Sequence, residues 1–231
     1  MNIETKFANT LTERPIGFRI KDRHFFLYPA TLGRMQIERE VRAALQPNPD
    51  NLRINADVEI ARMIAEHTDE ALWAIAYATA KGKECMDNDK MAARVKFFRK
   101  HAKAEDIATL FVTIISEGNT ADLQKHYGIS RETEEYRRIC DAKDTKGTYI
   151  YGGRTIYGAL IAPLMEKYGW TLDYILWGIS YANIQMLMAD ATKTLTLNKE
   201  EERRIRPRNT KGSIRVDDPR NLEYIKTLKF D

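Results

Sequence analysis

Cysteine is scarce in this sequence, and its placement excludes two common kinds of small protein. Among 231 residues only Cys85 and Cys140 are cysteines, and no CxxC pair occurs. The chain therefore offers neither a disulfide scaffold nor a zinc site of clustered thiolates. Two isolated cysteines suit a reducing compartment, so we do not expect a secreted protein.

Long apolar runs are missing as well. The first ten residues include Glu4 and Lys6 and contain no apolar core, which argues against a signal peptide or an anchor. The longest uncharged apolar stretch, residues 174–189, is shorter than the roughly 20 residues that a membrane span needs. We expect no membrane association.

Sequence signatures of catalysis are also absent. The histidines have neither the HxxxH nor the ExxH spacing that places two metal ligands on one helical face; they are His24, His67, His101 and His126. Counting from Gly147, Gly153 occupies the position of the Walker lysine, so the glycines there are not a phosphate loop. No GxSxG or nucleotide fingerprint is present. We predict a protein that is not an enzyme and needs neither a metal nor a cofactor.

The composition is that of a folded protein. Hydrophobic residues make up 43%, aromatic residues 10% and charged residues 30%, which is apolar enough for a sizeable core. We predict a mainly α protein with a small N-terminal β-hairpin and a basic, partly disordered C-terminal tail. Its segments are 1–30 with the hairpin, a helical core domain over 31–191, and the tail over 192–231.

Alternation of large apolar and polar residues predicts the hairpin within residues 15–28. Phe18 and Ile20 lie on one arm, and Phe25 and Leu27 on the other. Two strands alone are marginally stable, so we expect this hairpin to pack against helices.

Helical spacing of apolar residues follows the hairpin. We predict helices from Thr31, as an N-cap, to about Leu45; over Ala56–Ala80, broken near Thr68; over Ala104–Ser116; over Thr155–Tyr168, kinked at Pro163; and over Thr171–Ala191. The second of these carries apolar residues at helical spacing, namely Val58, Ala61, Ile64, Ala65, Leu72, Ile75 and Ala76.

Two apolar stripes mark the last helix. The first is an ordinary core stripe of Leu172, Ile175, Leu176, Ile179, Met186 and Leu187. The other, here called the second stripe, consists of Tyr174, Trp177, Tyr181, Ile184 and Met188. Two interpretations are open: a central helix buried on nearly all sides, or a docking face for a partner helix, since Trp, Tyr and Met are enriched in such surfaces.

The net charge of +4 lies entirely in residues 192–231, because Lys/Arg and Asp/Glu are equal in number before them. Within this tail, residues 203–215 include six basic residues and no acidic residue. The basic residues are Arg203, Arg204, Arg206, Arg208, Lys211 and Arg215. The stretch is either an arm for an acidic partner or nucleic acid, or a solvated and poorly ordered terminus.

Three segments resemble a known family: the hairpin and helix start Phe18–Gly33, the amphipathic helix Ala104–Ile115, and the closing segment Tyr157–Leu176 with its Tyr-Gly-Trp-Thr turn. Over most of residues 15–191 the chain resembles the tail assembly chaperones of long-tailed bacteriophages and prophages. The basic tail has no counterpart in that resemblance.

The resemblance implies a mostly helical, non-enzymatic protein in the cytoplasm of a bacterial host. Such a chaperone binds the long helical tape-measure protein, keeps it soluble and helps recruit tail-tube subunits, and the second stripe would supply its docking surface. The alternatives are a structural tail protein of the virion and a nucleic-acid-binding accessory protein that uses the basic arm. The charge balance through residue 191 argues against nucleic acid, and a homo-oligomer is compatible with the sequence.

Overall fold

The computed structural model describes residues 2–116, 118–143 and 151–205. Over these ranges the chain is mostly helical, with a two-stranded antiparallel hairpin near the N-terminus, so the predicted fold class is confirmed. The strands are β1 (Ile16–Ile20) and β2 (Arg23–Leu27). The helices are α1 (Ile3–Leu11), α2 (Leu32–Ile37), α3 (Arg39–Ala44), α4 (Pro49–Ile54), α5 (Ala56–Glu66), α6 (Thr68–Ala78), α7 (Asn88–His101), α8 (Ala104–Ser116), α9 (Ala121–His126), α10 (Ile129–Ala142), α11 (Ala162–Tyr168), α12 (Tyr181–Ala189) and α13 (Lys199–Ile205). A 3-10 helix (Gly82–Met86) and two π-helical segments (Tyr157–Ile161 and Tyr174–Gly178) complete them.

The described residues form two compact units. The first holds 2–116, 118–132 and 151–191, and the second holds 133–143 and 192–205. The hairpin belongs to the core of the first unit, since Ile20 and Leu27 are buried in a cluster with residues of α6, α7 and α8. The hairpin is therefore part of that core.

The hairpin places its apolar face as predicted. Phe18 pairs with Phe25 in the register, and their rings stack with centroids 5.6 Å apart. Phe25 also meets Phe98 of α7 at 4.9 Å. Packing on α7 supplies the apolar burial that two strands cannot provide for themselves.

Helix α6 is the most deeply buried helix of the first unit. Seven of its residues are buried: Ala71, Leu72, Ala74, Ile75, Ala76, Tyr77 and Ala78. It packs on α3, α5, α7 and α8. Alanine side chains are small, so several neighbours approach this helix closely on different sides.

A buried ion network lies between the hairpin, α2 and α6. Arg34 and Glu38 are 2% and 0% exposed, and Arg34 Nε is 3.0 Å from Glu38 Oε1, an ion pair without hydrogen-bond geometry. Arg34 Nη1 donates to the Tyr28 carbonyl at 2.6 Å and reaches the Ala78 carbonyl at 3.4 Å. Arg42 approaches the other Glu38 oxygen to 2.7 Å. The network joins the end of β2 to the C-terminus of α6.

Two helix predictions need correction. The helix expected from Thr31 to about Leu45 does begin at a Thr31 cap, but it divides at Glu38, where ψ is −9° rather than the α-helical value of about −42°. In α5 the inward residues are Ile60 and Met63, whereas Val58 is 64% exposed. Apolar residues surround most of α5, so their spacing alone does not select the buried face.

Helix α1 was not predicted, and polar contacts hold it. Lys6 pairs with Asp122 at 3.2 Å, and the Tyr127 hydroxyl donates to Glu4 at 3.1 Å. The Phe7 ring lies 5.0 Å from the Tyr127 ring. No residue of α1 is buried, which explains why its sequence carries little core signal.

Glu59 ties α5 to the start of α4. Its carboxylate accepts hydrogen bonds from the Asn48 backbone at 2.8 Å, from the Asn51 amide at 3.0 Å and from Arg62 at 2.6 Å. The bond from Arg62, followed by those from Asn48 and Asn51, lowers the pKa of Glu59 to about 2. The carboxylate is 1% exposed and ionised.

The Glu59→Gln variant should lose thermal stability at neutral pH and lose less of it in acid. The pKa of Glu59 is about 2 in the folded protein against an ordinary value of 4.5. A depressed carboxyl pKa stabilises the fold fully above the unfolded value, and this contribution disappears as the pH falls through the folded value. The melting temperatures of wild type and Glu59→Gln should therefore differ most above about pH 5 and approach each other as the pH falls towards about 2. Melting curves of both proteins between about pH 7 and about pH 3 measure this convergence.

Glu66→Gln is the matched control, because Glu66 also pairs with Arg62 but its side chain is 55% exposed. We expect a much smaller change in melting temperature. A gap between wild type and Glu59→Gln that stays constant with pH would contradict the assignment.

Candidate functional site

The predicted helix Thr171–Ala191 is not continuous. The π-helical segment Tyr174–Gly178 is followed by an extended link, with Ile179 at φ −130° and ψ 143° and Ser180 at φ −70° and ψ 148°. Helix α12 then begins at Tyr181. The prediction of one long helix is therefore wrong.

Tertiary hydrogen bonds account for the break. The Ser180 backbone N–H donates to Glu13 Oε1 at 2.6 Å, and the Tyr181 N–H donates to the Ala30 carbonyl at 2.7 Å. The Ser180 hydroxyl accepts from the Asn183 N–H at 3.3 Å as the N-cap of α12. These groups would bond within a continuous helix, and here they join the segment to the end of the hairpin region.

The break divides the second stripe among different environments. Ile184 is 0% exposed and packs in a core cluster with Ile175, so it is not available to a partner. Trp177 and Tyr181 are half-buried, while Tyr174 and Met188 are 43% and 37% exposed. The stripe is therefore neither one continuous docking face nor one side of a fully buried central helix.

Trp177 serves as a packing residue. A Cβ atom added to Gly33 would lie 2.7 Å from two carbons of the Trp177 ring, so the indole rests directly on the backbone of α2. Only glycine permits so close an approach at that position. Trp177 thereby fixes the π-helical segment Tyr174–Gly178 against α2.

An aromatic ladder, of which only Tyr174 was predicted as a docking residue, lies at the start of this segment. We use the name for Tyr168, Trp170 and Tyr174. The Tyr168 and Trp170 rings stack with centroids 4.9 Å apart and planes at 26°. Trp170 then meets Tyr174 edge-on at 5.2 Å and 74°. The three rings form an unbroken series from the core to the surface.

Local sequence builds this ladder. Gly169 adopts the left-handed conformation (φ 66°) that ends α11, and this turn allows Trp170 to stack back on Tyr168. The Thr171 hydroxyl accepts from the Tyr174 N–H at 3.2 Å and caps the start of the segment. The Tyr-Gly-Trp-Thr sequence was the signal that could have identified these rings.

The ladder is anchored at its inner end and open at its outer end. Tyr168 and Trp170 pack against the core cluster that contains Leu164 and Ile175. Leu172, which lies between Trp170 and Tyr174 in the sequence, is 40% exposed, and Tyr174 is 43% exposed. An ion pair between Lys83 and Asp173 further fixes the segment. The arrangement presents rigid apolar surface to solvent.

A cleft of about 710 Å³ opens elsewhere in the first unit, between α1 and the α8–α9 region. Its walls include Lys6, Asn9, Thr113 and Asp122, and Lys6 and Asp122 neutralise each other. No residue of the second stripe or of the aromatic ladder lines it. Pro15, Ile16 and Pro29 also line the cleft, so its surface is largely apolar and is separate from the ladder.

The predicted basic arm extends past the last described residue, 205. Arg206, Arg208, Lys211 and Arg215 lie outside the described residues, as does the rest of the tail after 205. Arg203 and Arg204 lie in α13, where Arg203 is exposed. Asn198 precedes that helix, and its side chain accepts from the Glu201 N–H at 2.9 Å. The segment predicted as a tail thus contains a short helix, α13.

The described residues hold no group of three or more His, Cys, Asp or Glu side chains arranged to bind a metal ion. Cys85 is buried, and its thiol donates to the Gly82 carbonyl at 3.3 Å. Burial raises the pKa of the Cys85 thiol, which keeps it in the less reactive protonated form.

None of the helices in the described ranges combines the length and apolar character required to cross a bilayer.

Comparison with other proteins gives no relative: no protein family matches the chain, and no curated protein and no solved structure is significantly similar to it.

Proposed function

We propose that this protein is a phage tail assembly chaperone that binds an apolar helical segment of a tape-measure protein through its aromatic ladder and assists tail-tube assembly. The observation that carries the proposal is the aromatic ladder, a series of three contacting rings that ends in a half-exposed tyrosine, Tyr174. The resemblance of Tyr157–Leu176 to tail assembly chaperones supplies the class of client.

The ladder suits a helical client for physical reasons. Tyrosine and tryptophan bring large apolar area at a low cost in side-chain entropy, and they dominate binding hot spots. Tyr168 and Trp170 are already held by the core, so little further ordering is needed on binding. An amphipathic helix would lay its apolar face across Tyr174 and Leu172.

The remaining residues of the second stripe take other roles in this proposal. Trp177 and Tyr181 support the segment from inside, and Ile184 is core. Met188 is exposed on α12, which follows the extended link in the chain, whereas Tyr174 precedes that link. The proposed docking residues are therefore Tyr174, Leu172 and the outer part of Trp170. The proposed setting is the cytoplasm of the bacterial host, with no catalytic role.

Tyr174→Ala should weaken capture of a co-expressed tape-measure segment by at least about tenfold, because truncating an aromatic hot spot commonly costs about 2 kcal/mol of binding. The melting temperature should change little, since Tyr174 is 43% exposed. The measurement is affinity capture followed by titration calorimetry with the full-length chain.

Tyr157→Ala is the matched control. Tyr157 is a 65% exposed tyrosine of the same helical region, and it makes no ring contact with the ladder. We expect wild-type capture from this variant. Equal loss in both variants, or a wild-type protein that fails to retain the segment, would contradict the proposal.

A further inference from the structure

A positively charged surface lies where the hairpin tip meets the C-terminal end of α7. The Arg23 guanidinium sits 4.7 Å above the Phe97 ring, and the His101 ring lies 4.8 Å from the same ring. Lys21 and Lys100 flank them and are exposed, as is Arg23. We call Lys21, Arg23, Lys100 and His101 the cationic cluster.

The acidic residue between Lys21 and Arg23 and the one that pairs with α7 beside Lys100 are already engaged. Asp22 lies 3.8 Å from Arg19, and Asp69 accepts from Arg99 at 2.6 Å. Among the described residues, Lys21, Arg23 and Lys100 have no carboxylate within ion-pair distance. Their positive charge is therefore not neutralised within this part of the chain.

The pKa of His101 responds to the positive charge of these neighbouring residues. Burial, followed by the charges of Lys21, Lys100 and Arg23, lowers the pKa of His101. Two of these cations come from the hairpin and one from α7, so tertiary packing brings together charges that are distant in sequence. Like charges held together in this way attract an anion.

We propose that the cationic cluster binds an acidic peptide segment of a partner protein. Arg23, held over Phe97, presents a planar fork that matches a carboxylate, and Lys21 and Lys100 provide further contacts for neighbouring acidic residues. This interaction is independent of the aromatic ladder and of the function proposed for it.

The surroundings favour a peptide over nucleic acid. Single-stranded nucleic acid is bound by aromatic rings with free faces, whereas Arg23 covers one face of Phe97 and the rings of Phe25 and Phe98 lie 5.5 Å and 5.9 Å from it.

The test uses the full-length protein and a fluorescent peptide of about ten glutamates, followed by fluorescence anisotropy at about 50 mM and about 300 mM NaCl, since salt screens such contacts. Wild type should bind the peptide and lose most of this affinity at the higher salt concentration. The double variant Arg23→Gln/Lys100→Gln should bind at least about tenfold more weakly, with thermal melting to verify folding.

Lys90→Gln is the matched control: Lys90 is on the same helix, about 15 Å from Lys100 along its axis, and pairs with Asp87 at 3.4 Å. Its peptide affinity should equal that of wild type. In NMR titrations of wild type the peptide should raise the pKa of His101, because it adds negative charge.

Three outcomes would overturn the proposal. They are no binding of the peptide by wild type, equal loss of affinity in Lys90→Gln and in the double variant, and preferential binding of an oligothymidylate of about 20 nucleotides over the peptide, which would identify a nucleic-acid surface.

Discussion

Replacing Arg34 with methionine should destabilise the folded protein by about 3–5 kcal/mol, the usual cost of breaking a buried ion pair from one side. The substitution removes the cation that faces Glu38, which is 0% exposed. It also removes the donor to the Tyr28 carbonyl and its contact with the Ala78 carbonyl. Urea denaturation followed by circular dichroism gives the free energy of unfolding.

Two further variants distinguish the network from simple packing. Arg42→Met removes the other partner of Glu38. Because the Arg42 side chain is 35% exposed, this variant should lose no more than about 1 kcal/mol of unfolding free energy. Arg34→Met/Glu38→Leu removes both buried charges and should be more stable than Arg34→Met alone, since apolar replacement of a whole buried pair is often neutral. A double variant less stable than the single one would contradict this account.

Replacing Ile184 with alanine should cost about 2–5 kcal/mol, as expected for emptying a packed core position. Ile184 is 0% exposed and packs with Ile175 and Leu164. Met188→Ala, one turn further along α12, should change stability by no more than about 0.5 kcal/mol, because Met188 is 37% exposed. Chemical denaturation of both variants provides the comparison.

The same pair tests the division of the second stripe. Equal destabilisation by Ile184→Ala and Met188→Ala would mean that both side chains are core, contrary to the burial described above. Binding of a tape-measure segment should be unchanged in Met188→Ala, since the proposed docking residues precede the extended link at Ile179 and Ser180.

Elements whose stability depends on residues close in sequence were predictable. The hairpin follows from alternation on both sides of Lys21-Asp22-Arg23, and its arms carry Phe18 and Ile20 on one strand and Phe25 and Leu27 on the other, as predicted. Helix α8 has the predicted bounds, Ala104–Ser116, because one clear apolar stripe and acidic residues in its first turn agree. The Thr31 cap of α2 is local in the same sense.

Features that depend on distant partners were not predictable. Nothing near Ser180 in the sequence shows that Glu13 and Ala30 will bind its N–H and that of Tyr181, and these bonds end one helix and begin another. The cationic cluster likewise requires the hairpin to pack beside α7.

By itself the sequence determined the helical class, the hairpin, the absence of recognisable catalytic motifs and the position of α8, because propensity, capping and apolar spacing act within a few residues. Tertiary structure alone decided which face of α5 is buried, that α6 is the most deeply buried helix, and that the second stripe divides between core and surface. The reason is physical: an apolar residue is favourable at any site that removes it from water, so the partner that covers it is selected by packing and by distant hydrogen bonds.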